Sequence, residues 1–149
     1  MNLILFRKTI IVSSLTETEI TSRLSEIVDL KKSTFGFSYP DTDKKYVGKI
    51  GIRRFKIHRI IKGRNSFIPV IQGHIIDNLS TRSIELKMRL HFLVILFLLW
   101  VTGLIIYYLI KLNDYNGLIF LGLMLGMTIF FFNQECNKST KDLENIFVD

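Results

Sequence analysis

Basic side chains concentrated in one short segment are the part of this sequence best suited to bind another molecule. The segment IRRFKIHRIIKGR, residues 52–64, contains six lysines or arginines and one histidine. Because successive side chains of a β-strand point to opposite faces, a strand here would gather cations on one face. That face would carry Arg54, Lys56, His58 and Lys62. Such a surface suits phosphate groups, either of lipid headgroups or of a nucleotide.

The same basic segment has a second interpretation, as the solvated outer face of a hairpin whose cations discourage aggregation. Arg59 interrupts the apolar side of the strand, and it needs an acidic or carbonyl partner if it is buried. Aromatic side chains for base stacking are sparse nearby, which argues against a nucleic-acid partner. The candidate residues for binding anions or lipids are Arg53, Arg54, Lys56, His58, Lys62, Arg64 and Arg89.

No arrangement of residues in the sequence is typical of a catalytic centre. A metal site usually needs three or four ligands with supporting carboxylates, whereas His58, His74 and His91 lie on separate predicted strands and the acids are scattered. Cys136 has no histidine at a recognisable motif spacing, and the sequence contains no glycine-rich phosphate loop. We therefore expect a protein that is not an enzyme and that holds no metal or cofactor.

Two long uncharged runs follow the basic half of the chain. Residues 92–110 contain no charge, and neither do residues 117–132. A helix that spans a bilayer needs about 20 predominantly apolar residues, so the first run qualifies, and the second does once it is extended to 116–133. Two buried core helices are the alternative, but a soluble domain of this size has little to surround them with. We predict a transmembrane hairpin of helices 92–110 and 116–133, with its turn at 111–115.

The distribution of charge predicts how this hairpin is oriented. Residues 1–91 hold 17 of the 20 basic residues but only 8 of the 13 acidic ones. Basic flanks of membrane helices usually stay in the cytoplasm, and a hairpin places both of its flanks on one side. We therefore expect both termini in the cytoplasm. The single cysteine fits a reducing compartment.

The first 91 residues have the pattern of an α+β domain. Thr16 followed by Glu19 predicts a capping box, after which Ile20 and Leu24 begin the apolar stripe of a helix. The strand-like segments are joined by short turns, so we expect an antiparallel sheet. Pro69 cannot donate to a ladder, which predicts an edge strand or a bulge there. The expected fold is helix-grip-like, with a pleckstrin-homology-like barrel as the alternative.

The segment SIELKMRLHFLVILFLLW contains the boundary between this domain and the first span. Apolar and charged residues alternate through Leu90, and the uncharged run starts at Phe92. The segment has no Gly or Pro, so we predict a nearly rigid coupling of strand to span. Beyond the second span, the spacing of Leu143, Ile146 and Phe147 predicts a short helix that docks on the domain. The expected units are the α+β domain 1–91, the hairpin 92–133 and the cytoplasmic tail helix 134–149.

Small residues in the two spans predict that helices approach each other closely. Gly122 and Gly126 form a G-x-x-x-G pattern in the second span, and Gly103 is the small residue of the first. We favour packing within the hairpin, and association of two or more copies is the alternative.

The strings FKIHRIIKGRNSFIPVIQGHI and TRSIELKMRLHFLVILFLLW resemble a group of small bacterial two-transmembrane proteins with a β-rich cytoplasmic domain. The resemblance implies a strand that runs into a helical hairpin, a short cytoplasmic tail and a bacterial source, and it implies no activity. It is carried by Phe55, Ile57, Arg59, Asn65, Ser66, Phe67, Pro69 and Gly73.

Together these patterns predict a non-enzymatic protein of the bacterial inner membrane. Its cytoplasmic domain would bind a protein partner or the anionic headgroups of the bilayer, and copies of the chain would be able to associate. The alternative is a membrane-anchored sensor or effector whose basic strand face binds an anionic small molecule. We expect no nucleic-acid partner.

Overall fold

A computed structural model describes residues 5–30, 43–60, 67–77, 82–112 and 116–148. Within these residues the chain has an α+β fold, with one six-stranded sheet and three helices. The strands are β1 Phe6–Ser13, β2 Val28–Asp29, β3 Tyr46–Ile50, β4 Arg54–Arg59, β5 Val70–Asp77 and β6 Arg82–Arg89, and the helices are α1 Glu17–Ile27, α2 Phe92–Leu112 and α3 Asn116–Phe147.

The sheet has the strand order β1-β6-β5-β4-β3-β2. Strands β3 to β6 pair antiparallel in succession, and β1 pairs antiparallel with β6. The prediction of a wholly antiparallel sheet is wrong, because β2 lies parallel to β3. A parallel neighbour needs a long connection, and the stretch between Asp29 and Tyr46 is long enough to return the chain to the same end of the sheet. The fold type, helix-grip-like or pleckstrin-homology-like, stays a prediction.

Strand β5 is neither an edge strand nor bulged, the two alternatives that Pro69 predicted, and its registers with both neighbours are continuous from Val70. It begins at Val70, immediately after Pro69, and lies between β4 and β6. Because the proline precedes the first paired residue, its missing N–H removes no ladder bond from a central strand.

The strands bury one face, which we call the inner face. It carries the fully buried side chains Ile57, Ile71, Ile84, Leu86 and Met88. Gly73 of β5 also belongs to it: a Cβ there would lie 2.0 Å from the ring of its cross-strand partner Phe55. The missing side chain therefore gives the Phe55 ring the space it needs in the core.

Helix α1 covers part of the inner face, and its start follows the predicted signal. The side-chain oxygen of Thr16 accepts from the backbone N–H of Glu19, and the Glu19 carboxylate accepts from the backbone N–H of Thr16. This capping box is confirmed, and Ile20 and Leu24 are buried as the apolar stripe predicted. The helix ends at Ile27, where Val28 begins β2.

Strand β6 runs almost directly into helix α2. The strand ends at Arg89 and the helix begins at Phe92, with Leu90 and His91 between them. The predicted position of this junction is confirmed. Helices α2 and α3 are both long and apolar enough to cross a membrane, and they form a hairpin that carries many exposed large apolar side chains.

Helix α3 is one element of 32 residues, from Asn116 to Phe147. The prediction of a second span followed by a separate short C-terminal helix is therefore wrong. The change from apolar to polar residues at Asn133 resembles the end of a helix, but neither Gly nor Pro is present there to end one. The polarity changes while the helix continues.

The C-terminal half of α3 docks on the sheet, as its apolar spacing predicted. Phe132, Cys136, Leu143 and Phe147 belong to the same buried core as the strands. The ring of Phe147 lies 6.3 Å from that of Phe55, measured between centroids. This half of α3 is therefore part of the core of the sheet domain.

Arg59 connects β4 to helix α3 through two ion pairs. Its guanidinium nitrogens lie 3.6 Å from Glu135 Oε2 and 3.6 Å from Asp142 Oδ2. The two acids are seven residues apart, which places them on the same side of the helix about two turns apart. The predicted need of Arg59 for an acidic partner is thus confirmed. On the neighbouring strand, burial and then the charge of Asp142 raise the pKa of Tyr46 to about 12.

We predict that Arg59→Met destabilises the protein by about 1–3 kcal/mol. The change removes the cation beside Asp142 and leaves the buried Glu135 with Lys138 alone as its cation. The expected loss is kept small because about a quarter of the Arg59 side chain is exposed to solvent. Thermal unfolding of the full chain in detergent, followed by circular dichroism, measures the loss.

The control for this prediction is Arg53→Met. Arg53 pairs with Glu17 at 3.3 Å, but the pair is exposed, so its removal should cost no more than about 0.5 kcal/mol. The triple variant Arg59→Met, Glu135→Gln, Asp142→Asn should recover part of the loss, since neither carboxylate is then left without Arg59, and Lys138, which loses Glu135, is half exposed to solvent. Equal effects of the two single variants would contradict the role given to Arg59.

Candidate functional site

The sheet has a second face, the outer face, opposite to the face that helices α1 and α3 cover. Helices α1 and α3 both contribute to the core on the inner face. Strand alternation places the charged residues of the strands mainly on the outer face. Its basic members are Lys8, Lys49, Arg54, Lys56, His58, His74, Lys87 and Arg89.

Four of these lysines form one row across the sheet, which we call the lysine row. The strand registers pair Lys8 with Lys87, Lys87 with Gln72, Gln72 with Lys56, and Lys56 with Lys49. Neighbouring strands lie about 4.8 Å apart, so five strands give the row a length of about 19 Å. Like charges directly opposite each other on neighbouring strands destabilise a sheet, and the row contains two such pairs.

The first like-charged pair, Lys8 with Lys87, has its counter-charge built in. Glu85 lies between the two, with its carboxylate oxygens 3.0 Å from Lys8 Nζ and 2.9 Å from Lys87 Nζ. Hydrogen bonds from Lys87 and Lys8 hold the pKa of Glu85 below its usual value. Glu85 therefore offsets one of the two positive charges at this end of the row.

The second pair, Lys49 with Lys56, has no acidic partner among the residues that the structure describes. Both side chains are exposed, and Arg54 adds a third exposed cation two residues before Lys56. Glu85 is two strands away from β4, about 10 Å by the strand spacing, and it already pairs with two lysines. This end of the row has a surplus of positive charge that lacks a counter-ion in the described structure.

A groove of about 700 Å³ lies over this unbalanced end. We call it the basic groove. Its polar lining comes from Lys49, Arg54, Lys56, Gln72, His74 and Lys87, with Glu85 at one side. Cations on three strands thus converge on one open depression, and this arrangement can hold an anion that carries more than one charge.

The structure places the candidate residues that the sequence predicted in different locations, and only some of them line the basic groove. Arg54 and Lys56 line the basic groove. His58 and Arg89 share the outer face but lie in the next row, where each is opposite Val70. Arg53 lies in the turn before β4 and pairs with Glu17 of α1. Lys62 and Arg64 fall outside the described residues.

His58 adds little positive charge at neutral pH. Burial lowers its pKa, and the nearby charges of His91 and Lys56 lower it further. The neutral form of the imidazole is therefore favoured at neutral pH, and the site depends on its lysines and arginine.

Sequence reasoning missed Lys8, Lys49 and Lys87 as members of the site. Each lies on a predicted strand, and the alternation of β6 already placed Lys87 opposite to the apolar side. The missing information was the strand order, because the lysine row forms only once β1 pairs with β6 and β3 pairs with β4.

Within the described residues, no three His, Cys, Asp or Glu side chains form a group that could hold a metal ion. His74 lies on the outer face opposite Glu85 and Arg54. Cys136 is buried in the core between α3 and the sheet. His74 and Cys136 therefore lie on opposite faces of the sheet.

The three glycines expected to pack helices do not lie in the contact between the two helices of the hairpin. A Cβ added at Gly103, Gly122 or Gly126 would have no heavy atom within 4 Å. The helices approach each other instead at Gly117, where a Cβ would lie 3.2 Å from Ile105 Cγ2. The favoured interpretation, packing within the hairpin, is wrong for these glycines, and association of copies stays a prediction.

Comparisons of the chain with protein-family models, with curated proteins and with solved structures give no match. The resemblance to small bacterial two-transmembrane proteins therefore stays a prediction.

Proposed function

We propose that this chain is a non-enzymatic protein of the bacterial inner membrane that binds an anionic partner in its basic groove. The hairpin α2–α3 anchors the sheet domain, and the outer face presents the groove to the cytoplasm. The anion is a lipid headgroup, a soluble compound or an acidic protein surface, and all three share the negative charge that the groove requires.

The proposal rests on one difference between the two like-charged lysine pairs, which is the presence of an acidic partner beside only one of them in the described structure. Lys8 and Lys87 have Glu85 between them, whereas Lys49 and Lys56 have no acid beside them in the described structure. A sheet would gain stability from an acid or a neutral residue at either position of the second pair. Two lysines together with Arg54 are instead what a site for an external anion needs.

The attachment to the hairpin supports a function at the membrane surface. Only two residues separate β6 from α2, and α3 continues from the apolar hairpin into the core of the sheet domain. The groove therefore keeps a fixed position relative to the hairpin, and an anion bound there is held close to the bilayer.

The charge distribution and the hairpin support a cytoplasmic location of the sheet domain. The test is a pair of reporter fusions, one after Asp149 and one within residues 111–115. We expect the two fusions to report opposite sides of the membrane, with the first in the cytoplasm. The same side for both would contradict the hairpin, and a first fusion outside the cytoplasm would contradict the orientation.

The binding function is tested by reversing the unbalanced charges in the full chain. Lys49→Glu with Lys56→Glu replaces one like-charged pair by another, so the sheet keeps a similar cross-strand repulsion while the groove loses its attraction for anions. We expect at least about a tenfold loss of affinity, since charge-assisted hydrogen bonds contribute about 1.5–3 kcal/mol each. Binding is measured with anionic vesicles and, separately, with inositol hexakisphosphate.

The matched control is Lys45→Glu with Lys141→Glu, which changes the net charge equally at two exposed positions outside the groove. We expect this control to retain its affinity within about twofold, because exposed charges far from a site are screened by salt. Equal losses in both variants would show a general charge effect and would contradict a site. Wild-type protein that binds neither of these anions, and does not bind polyglutamate as a probe for an acidic protein surface, would refute the proposed function.

A further inference from the structure

We propose that the natural ligand of the basic groove is a soluble compound with two or more phosphate groups, and not the headgroups of the bilayer that anchors the protein. This inference rests on the proposed anion-binding function and names the class of ligand. It follows from the direction of the strands, from the height of the groove above the hairpin and from the kind of cations in it.

Strand β1 runs alongside the C-terminal half of helix α3 and in the same chain direction. Arg7 near the start of β1 hydrogen-bonds to Asn137, and Ser13 at the end of β1 hydrogen-bonds to the backbone oxygen of Phe147. Strand β1 and the C-terminal half of α3 therefore advance together from the apolar part of the hairpin. Because α3 is one continuous helix, the sheet extends away from the bilayer and does not lie flat on it.

The groove lies above the layer of lipid headgroups. At about 3.3 Å per residue, Arg89 is about 10 Å and Lys87 about 16 Å along β6 from Phe92, where the apolar helix starts. The headgroup layer on one side of a bilayer is about 5–8 Å thick. Lys56 and Lys49 lie in the same row as Lys87, so they are placed beyond the headgroups. Arg89 is close enough for its long side chain to reach them.

The cations of the groove suit phosphate groups. Three of the four are lysines, whose ammonium groups bind phosphate as point charges, and the planar guanidinium of Arg54 matches phosphate as well as carboxylate. A phosphate monoester carries a charge of about −1.5 to −2 at neutral pH. Two such groups would balance Lys49, Arg54 and Lys56 and engage Lys87.

The dimensions of the groove fit a small molecule. Its volume of about 700 Å³ lies within the range of about 300–1,000 Å³ that is usual for small-ligand sites. The strand spacing places Lys49 about 5 Å from Lys56, and Lys56 about 10 Å from Lys87. The aromatic side chain among the described lining residues is Phe55, which is only 4% exposed, so the groove lacks the stacking surface that a nucleic acid strand uses.

The test measures binding of inositol hexakisphosphate to the full chain in nanodiscs by titration calorimetry. Discs of neutral lipid are compared with discs that contain anionic lipid, at 0.15 M salt, where the Debye length is about 8 Å. We expect affinities that agree within about tenfold in the two discs, because the groove lies about one Debye length beyond the charged headgroups. We also expect Lys56→Glu to weaken binding at least about tenfold and Arg89→Glu to leave it within about twofold.

Each other outcome overturns the inference in a different way. Loss of probe binding in anionic discs alone would show that headgroups occupy the groove, and the anion-binding function would then stand with the bilayer as its ligand. Tighter binding of polyglutamate than of inositol hexakisphosphate would point to an acidic protein partner. Absence of binding to the probe, to polyglutamate and to anionic vesicles would refute the proposed function together with the inference.

Discussion

The continuity of helix α3 is the constraint on which the rest of the structure depends. One helix provides an apolar half that belongs to the hairpin and a C-terminal half that completes the core of the sheet. Its apolar contacts, such as that of Phe147 with Phe55, fill the inner face, and Arg59 fixes its rotation by pairing with Glu135 and Asp142 on one side of the helix. The sheet domain therefore cannot be separated from the hairpin without losing part of its core.

The two faces of the sheet therefore differ in what they contact. The inner face is occupied by helices, whereas the outer face carries the lysine row and the basic groove. Because β6 and α3 both connect the domain to the hairpin without a flexible linker, the height of the groove is determined by the covalent structure. Under the proposed function, a ligand in the groove is held at a defined distance from the bilayer.

Local signals in the sequence were sufficient for the features that depend on neighbouring residues. The capping box at Thr16, the junction after Arg89 and the need of Arg59 for a partner all follow from short patterns and are present in the structure. Features that depend on the pairing of strands far apart in the sequence could not be predicted from such short patterns. Lys8 and Lys49 lie 41 positions apart in the sequence, and only the strand order places them in one row. The continuity of α3 was missed because a change in polarity does not by itself end a helix.

Hydrogen exchange along helix α3 tests the central claim most directly. In nanodiscs, the backbone amides between Phe131 and Ser139 report whether the helix continues from the hairpin into the sheet domain. A continuous helix predicts slow exchange throughout this stretch, with no fast-exchanging amides at Asn133 or Gln134. A short fast-exchanging segment there, between two slowly exchanging flanks, would show two separate helices joined by a hinge and would contradict the fixed position of the groove.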